Sequence, residues 1–125
     1  MANRFLPSYP HALGHGITEA IFEHDGPASY SNVATNSGTG DVINASDITG
    51  NAGALGISFV DSLGLSSDGL NYCFVEYAPF GAAAGNSGLT VAQARLRWIV
   101  LSTNAEVANG VNLSGKSVRL QVRVE

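Results

Sequence analysis

The chain has 125 residues, which favours one domain, and 45% of them are hydrophobic, which excludes disorder throughout. Charged residues account for only 13%, about half the share of an ordinary soluble domain, and the net charge of −4 argues against direct nucleic-acid binding. A surface this poor in charge, with a single lysine at Lys116, is easy to desolvate and suits a protein that is packed against neighbours.

Residues 1–16 are predicted to form an extended N-terminal arm ahead of a single β domain that covers residues 17–125. Pro7 and Pro10 lack a backbone donor and favour extended geometry, and glycines at the end of the arm loosen its junction with the domain. The arm also carries apolar side chains, among them Phe5, Leu6 and Tyr9. An arm of this kind either lies over its own sheet or binds a neighbouring subunit, and the sequence leaves both arrangements open.

Short strands and turns alternate from Ile17 onward, and no long helix is indicated. We expect strands over residues 17–24, 42–43, 56–61, 70–78, 94–101 and 118–125. Turn sequences separate them, as at Asp25-Gly26-Pro27, Asp68-Gly69, Asn109-Gly110 and Ser114-Gly115. Many short strands joined by Gly-, Ser- and Asn-rich connections predict an all-β fold, a compact antiparallel β-sandwich or barrel.

The two C-terminal strands show the period of two that gives a strand one apolar and one polar face. Trp98 is predicted to face the core, and the same is predicted for Val118, Leu120, Val122 and Val124. Four arginines alternate with core positions and must project from the opposite faces: Arg95, Arg97, Arg119 and Arg123. These arginines are candidate interface residues, together with Phe5, Leu6 and Tyr9 of the arm.

Charge is distributed unevenly along the chain. Residues 1–90 hold one base against eight acids, and residues 91–125 hold five bases against two acids, which gives −7 and +3. An acidic body and a basic C-terminal third favour electrostatic association with further copies of the chain or with a charged scaffold. The alternative is that the basic strands pair with acidic strands inside one monomer.

No catalytic, cofactor-binding or metal-binding motif stands out, so we expect neither an enzyme nor a cofactor nor a metal. His11 and His15 have a ligand spacing, but the adjacent proline and glycines argue against the helix that would align them. Together with His24, they are expected to be exposed residues of the arm and of a strand end. Serine and acidic residues form no hydrolase or glycosidase signature. The single cysteine, Cys73, excludes an intramolecular disulfide and is predicted to be buried.

Three stretches resemble small structural proteins encoded among the head genes of tailed bacteriophages. They are ARLRWIV at residues 94–100, AEVANGVNLSGKSVRL at residues 105–120 and RFLPSYP at residues 4–10. The likeness covers about the first ten residues and residues 94–120, roughly a third of the chain. The resemblance implies a virion structural protein, in the first place a capsid decoration or cement protein. Such a protein binds the outer capsid surface and stabilises the shell by bridging capsomers. The resemblance brings no catalytic or binding residues with it.

The partners that this resemblance implies are the major capsid protein and further copies of the chain, a trimer being one arrangement, on a virion assembled in the host cytoplasm. No nucleic-acid partner, membrane partner or secretory signal is expected. Two alternatives stay open. One is another phage structural part, such as a tail, neck or fibre-associated β module, and the other is a stand-alone carbohydrate-binding β-sandwich.

Overall fold

The computed structural model of the chain describes residues 3–5, 11–14, 17–46, 56–77, 89–90 and 92–124. These residues form the strands β1 (Asn3–Phe5), β2 (His11–Gly14), β3 (Ile17–Asp25), β4 (Asp41–Asn44), β5 (Ile57–Ser62), β6 (Asn71–Tyr77), β7 (Gln93–Val100), β8 (Ala105–Glu106) and β9 (Ser117–Val124). One helical turn, α1 (Val33–Asn36), lies between β3 and β4. Every strand predicted from Ile17 onward is present, with ends within one residue of those expected.

Two antiparallel sheets pack face to face. In the first sheet, β1 and β2 lie beside β3, β3 pairs with β9, and β9 pairs with β5. In the second sheet, β7 lies between β4 and β6 and also pairs with β8. The apolar faces of both sheets contribute to one core. The all-β prediction is therefore confirmed, and the arrangement is a sandwich.

The core contains the side chains that the alternation places there. Trp98 on β7 is fully buried, and the even-numbered residues of 118–124 on β9 are all buried, whereas Arg119 and Arg123 between them are exposed. Cys73 is buried as predicted, and burial raises the pKa of its thiol. Side chains from the connections complete the core at its margins: Tyr30, Val107 and Leu113.

Glycines occupy the turns that require a left-handed backbone. Gly69 has a φ of 76° and Gly110 has a φ of 84°, a region that L-residues with a Cβ rarely adopt. Both follow a residue that favours turns, in the predicted pairs Asp68-Gly69 and Asn109-Gly110. These two turns are therefore fixed locally by sequence.

The described part of the arm is paired with the first sheet. β1 and β2 both run antiparallel to β3 along the edge that β9 does not use, with Asn3 opposite His24 and Gly14 opposite Ile17. The extended geometry predicted for the arm is compatible with this pairing. Both prolines fall between the two strands, at residues 6–10, which lie outside the described residues. The two strands match the arrangement in which the arm lies on its own sheet.

Two small elements differ from the sequence expectation, the helical turn α1 and the two-residue strand β8. The side-chain oxygen of Asn32 caps α1 by accepting a hydrogen bond from Thr35 N at 2.7 Å. Glu106 of β8 accepts from Val33 N at 2.8 Å and from Ala34 N at 3.0 Å. Both elements are too short to show a periodic pattern and depend on this contact between distant parts of the chain. No helix within the described ranges is long and apolar enough to cross a membrane.

Candidate interaction surface

The arginines of β9 form ion pairs with β3 on the outer face of the first sheet. The register places Arg119 opposite Glu23 and Arg123 opposite Glu19. Arg119 Nη2 lies 3.6 Å from Glu23 Oε1, and Arg123 Nε donates to Glu19 Oε2 at 2.9 Å. About half of each arginine side chain is exposed, so water screens both pairs and each adds little to the free energy of unfolding.

Arg95 and Arg97 on β7 share one carboxylate, that of Glu76 on β6. Arg97 Nε donates to Glu76 Oε1, and Arg95 Nε lies 3.4 Å from the same oxygen. Glu76 is directly opposite Arg95 in the register, and Arg97 is its diagonal neighbour. Arg95 is only 8% exposed and offers little surface to a partner, whereas Arg97 is partly exposed.

The remaining cation of the basic third, Lys116, is paired as well, because its Nζ lies 3.0 Å from Asp68 Oδ2. All five cations of residues 92–124 therefore face carboxylates of the acidic body. These contacts correspond to the alternative in which the basic strands pair within one monomer. Each cation of this described stretch has a carboxylate beside it, which weakens its attraction for a charged partner.

The candidate interface residues of the arm lie partly outside the described residues. Phe5 ends β1, opposite Phe22 on β3. Leu6 and Tyr9 lie outside the described residues. The role of these three residues in an interface stays a prediction.

One end of the sandwich carries most of the exposed large hydrophobic side chains. Seven such side chains are exposed among the described residues, and five of them belong to the connections at this end: Leu63, Leu65, Leu70, Leu101 and Val111. We call these five residues the apolar end. Leu70 is 61% exposed, the largest fraction of the five. Exposed apolar side chains that gather in one place mark an interaction site, whereas scattered ones do not.

A groove of about 570 Å³ lies among three residues of the apolar end. It is lined by the exposed side chains of Leu70, Leu101 and Val111 and by the buried side chains of Val107 and Leu113. The main chain holds two of the lining residues together, because Leu101 N donates to Leu70 O at 3.0 Å. An aliphatic lining of this kind suits an apolar group of a partner better than a charged one.

Polar groups lie at one side of the groove, where Asn71 and Lys116 join its lining. Lys116 Nζ donates to Asn71 Oδ1 at 2.5 Å. Asp68 Oδ1 accepts hydrogen bonds from Leu70 N at 3.1 Å and from Ser66 Oγ at 2.8 Å. These two bonds, with the Lys116 ammonium beside Oδ2, lower the pKa of Asp68 to about 2, so the carboxyl is ionised at neutral pH.

None of the five residues of the apolar end is among the interface residues predicted from the sequence. Leu70 and Leu101 fall at the ends of predicted strands, and Leu63, Leu65 and Val111 fall among turn formers. Turn segments are normally polar, so aliphatic residues inside them are the signal that points to this surface.

A buried polar contact joins the two sheets. His24 Nε2 on β3 and Asp41 Oδ2 on β4 are 2.7 Å apart, and Trp98 Nε1 donates to the same Oδ2 at 3.0 Å. The expectation that His24 is exposed is wrong, because His24 follows Ala20 and Phe22 on the core face of β3 and is fully buried. A group enclosed in this way stabilises the packing of the sheets and does not meet a substrate.

The other histidines form no helical ligand pair. His11 lies in β2, which is a strand, and His15 lies outside the described residues. Across the described residues, no three side chains of His, Cys, Asp or Glu come together as potential metal ligands.

Comparison of the chain with protein-family models, with curated protein sequences and with solved structures finds no match. The functional proposal therefore depends on the residues of this chain.

Proposed function

We propose that the chain is a structural protein of a tailed-phage virion, specifically a capsid decoration protein that binds the outer capsid surface and stabilises the shell by bridging capsomers. Its partners in this proposal are the major capsid protein and further copies of the chain. The observation that supports docking is the apolar end, where exposed aliphatic side chains surround an aliphatic groove. The cations of residues 92–124 already face carboxylates, so apolar contact is the stronger means of association.

An apolar end suits a protein that is repeated many times on a larger particle. Removing apolar surface from water contributes about 25 cal/mol per Å² to association. Weak single contacts are sufficient when each copy bridges neighbouring units, because the second contact then forms at a high effective concentration. A surface with few charges also loses little hydration free energy when it is covered.

The alternative of a stand-alone carbohydrate-binding sandwich receives less support. Phe59 lies opposite Arg123 on the outer face of the first sheet, and Phe74 lies opposite Arg97 on the outer face of the second sheet. These two exposed rings are on opposite sides of the sandwich, so they do not share one stacking platform for a sugar. A tail, neck or fibre position would use the same kind of apolar contact as a capsid position, so the particle that binds the protein distinguishes them.

The test is co-sedimentation of the purified protein with phage heads that lack it, with phage tails as a second particle. Replacing two lining residues together, Leu70→Ser and Leu101→Ser, should weaken binding to heads by at least about tenfold, because few interface residues dominate binding. Phe74→Ser is the matched control, since it removes an exposed apolar side chain from an outer face. The control should bind heads as the wild type does.

Three outcomes would contradict the proposal in different ways. Full binding of the double variant to heads would contradict docking through the apolar end. Binding of the wild type to tails and not to heads would contradict the capsid position. Binding to neither particle, with a signal on a glycan array, would favour the carbohydrate-binding alternative.

A further inference from the structure

Lys116, Asn71 and Asp68 form one polar cluster. Lys116 is the single lysine of the chain, and its Nζ donates to Asn71 Oδ1 at 2.5 Å. Asp68 Oδ2 lies 3.0 Å from the same Nζ. One cluster therefore holds a primary amine, a carboxamide whose carbon is one bond from the contacted oxygen, and a carboxylate that can accept a proton.

We propose that Lys116 and Asn71 join in an intramolecular isopeptide bond between Nζ and Cγ, with Asp68 as the proton-transfer group. The bond is a modification of the chain by its own residues. It requires no cofactor, oxidant or second protein, and it does not depend on the proposed virion function.

The reacting groups are held by their neighbours. Asn71 Nδ2 donates to Ile99 O at 3.2 Å, which orients the carboxamide while Oδ1 contacts Lys116. Asp68 Oδ1 accepts from Ser66 Oγ and Leu70 N, so Oδ2 faces the amine. Groups that are fixed in contact react as if at very high concentration, because the entropy of bringing them together has been lost during folding.

Burial supports the same reaction. Asn71 is only 3% exposed, and it shares the lining of the groove with aliphatic side chains that include Val100 and Leu113. Restricted access of water leaves few competing hydrogen-bond partners for the carboxamide. Among the described contacts, the nucleophile that lies nearest to the Asn71 carboxamide is Lys116.

The reaction balances with proton exchange to water. The ammonium of Lys116, whose side chain is 24% exposed, gives a proton to water, and the freed lone pair forms a bond to Asn71 Cγ while the carbonyl π electrons move to Oδ1. A proton of the attacking nitrogen passes by way of the Asp68 carboxylate to Nδ2, the Cγ–Nδ2 bond breaks, and ammonia leaves as the carbonyl forms again. The ammonia takes up a proton from water. The products are a secondary amide and an ammonium ion, and Asp68 is a carboxylate at the start and at the end.

The bond would join the two sheets covalently. Asn71 opens β6 in the second sheet, and Lys116 precedes β9 in the first sheet, 45 residues further along the chain. A cross-link that closes a long loop restricts the unfolded chain and thereby favours the folded state. The chain has a single cysteine, so no disulfide within it can serve this purpose.

Mass spectrometry of the unfolded wild-type chain tests the proposal. We expect an intact mass about 17 Da below that of the sequence, which corresponds to the released ammonia. Trypsin should not cleave after Lys116 and should yield a branched peptide that joins residues 5–95 to residues 98–119. An unshifted mass, with Lys116 cleaved by trypsin and open to acetylation after unfolding, would overturn the proposal.

Variants assign the roles of the two side chains that react. Lys116→Arg keeps a cation beside Asp68 but has no amine, so its mass should equal that of its sequence. Asn71→Asp should keep the cross-link and lose water, about 18 Da, in place of ammonia. A deficit that survives Lys116→Arg would place the loss of ammonia elsewhere, as in cyclisation at Asn109-Gly110, and would also overturn the proposal.

Discussion

At one margin of the core, the buried side chain of Tyr30 forms hydrogen bonds with groups that are distant in sequence. Tyr30 OH donates to Glu106 Oε2 at 2.8 Å and accepts from Trp98 N at 3.2 Å. Burial and the adjacent Glu106 carboxylate raise the pKa of Tyr30, so the phenol stays a donor. The buried hydroxyl is thereby satisfied as both donor and acceptor, which avoids the penalty of an unpaired polar group.

Glu106→Gln tests the charge in this contact. Burial alone raises the pKa of Glu106, but hydrogen bonds from Val33 N, Tyr30 OH and Ala34 N, with Arg97 nearby, lower it overall. A carboxylate whose pKa is lower in the folded than in the unfolded chain stabilises the fold above the unfolded pKa of about 4.3. That stabilisation is lost as the pH falls through the folded pKa.

Thermal unfolding followed by circular dichroism should therefore show a lower melting temperature for Glu106→Gln at neutral pH. The difference from the wild type should narrow as the pH falls below about 4, where the carboxylate of the wild type takes up its proton. A difference that stays constant across this range would show that shape and hydrogen bonding matter here and charge does not.

Trp98→Ala tests the centre of the core. The ring is fully buried between the sheets, and its indole N–H donates to Asp41. Emptying a site of this size should lower the free energy of unfolding by about 3–5 kcal/mol in urea titrations. Phe74→Ala removes a ring that is 56% exposed and should change it by less than about 0.5 kcal/mol. Equal effects of the two substitutions would contradict the assignment of the core.

Among the elements, β7 and β9 are specified most directly by sequence, because β9 alternates apolar and polar residues over its full length and β7 does so over residues 93–98. The positions of α1 and β8 depend on contacts across more than 70 residues, such as Val33 N with Glu106, and no local pattern encodes such a contact. The same holds for the candidate site. Leu70 and Leu101 become neighbours only when β6 and β7 pair, and Lys116 meets Asn71 only when both sheets are packed.

Deletion of residues 1–14 tests the edge of the first sheet. The deletion removes β1 and β2 and uncovers the backbone donors and acceptors of β3 along one edge. An uncovered edge pairs with other chains, so the truncated protein should melt at a lower temperature and should associate at high concentration in analytical ultracentrifugation. The opposite outcome is a truncated chain that stays monomeric, keeps its melting temperature and loses its binding to heads. That outcome would show that the arm binds a partner and not its own sheet.

At the scale of the whole molecule, the basic C-terminal third forms ion pairs with the acidic body of the same chain. Arg119→Glu with Arg123→Glu tests this, because it places glutamates opposite Glu23 and Glu19. Each lost pair should lower the free energy of unfolding by about 0.2–1 kcal/mol, and added salt should reduce the loss. Urea titrations at low and high salt measure both effects. Unchanged stability together with weakened binding to heads would indicate that these arginines belong to an interface with a partner.

The pairing of β3 with β9 has a consequence for synthesis of the chain. Thr18 lies opposite Val124, so the first sheet brings together residues that a ribosome makes about a hundred residues apart. β5 also pairs with β9 and with no other strand among the described residues. Neither β3 nor β5 can therefore complete its pairing before β9 has been translated. A nascent chain interrupted before β9 lacks the centre of the first sheet, and we expect it to be a substrate for proteases. Only chains translated through β9 would then accumulate.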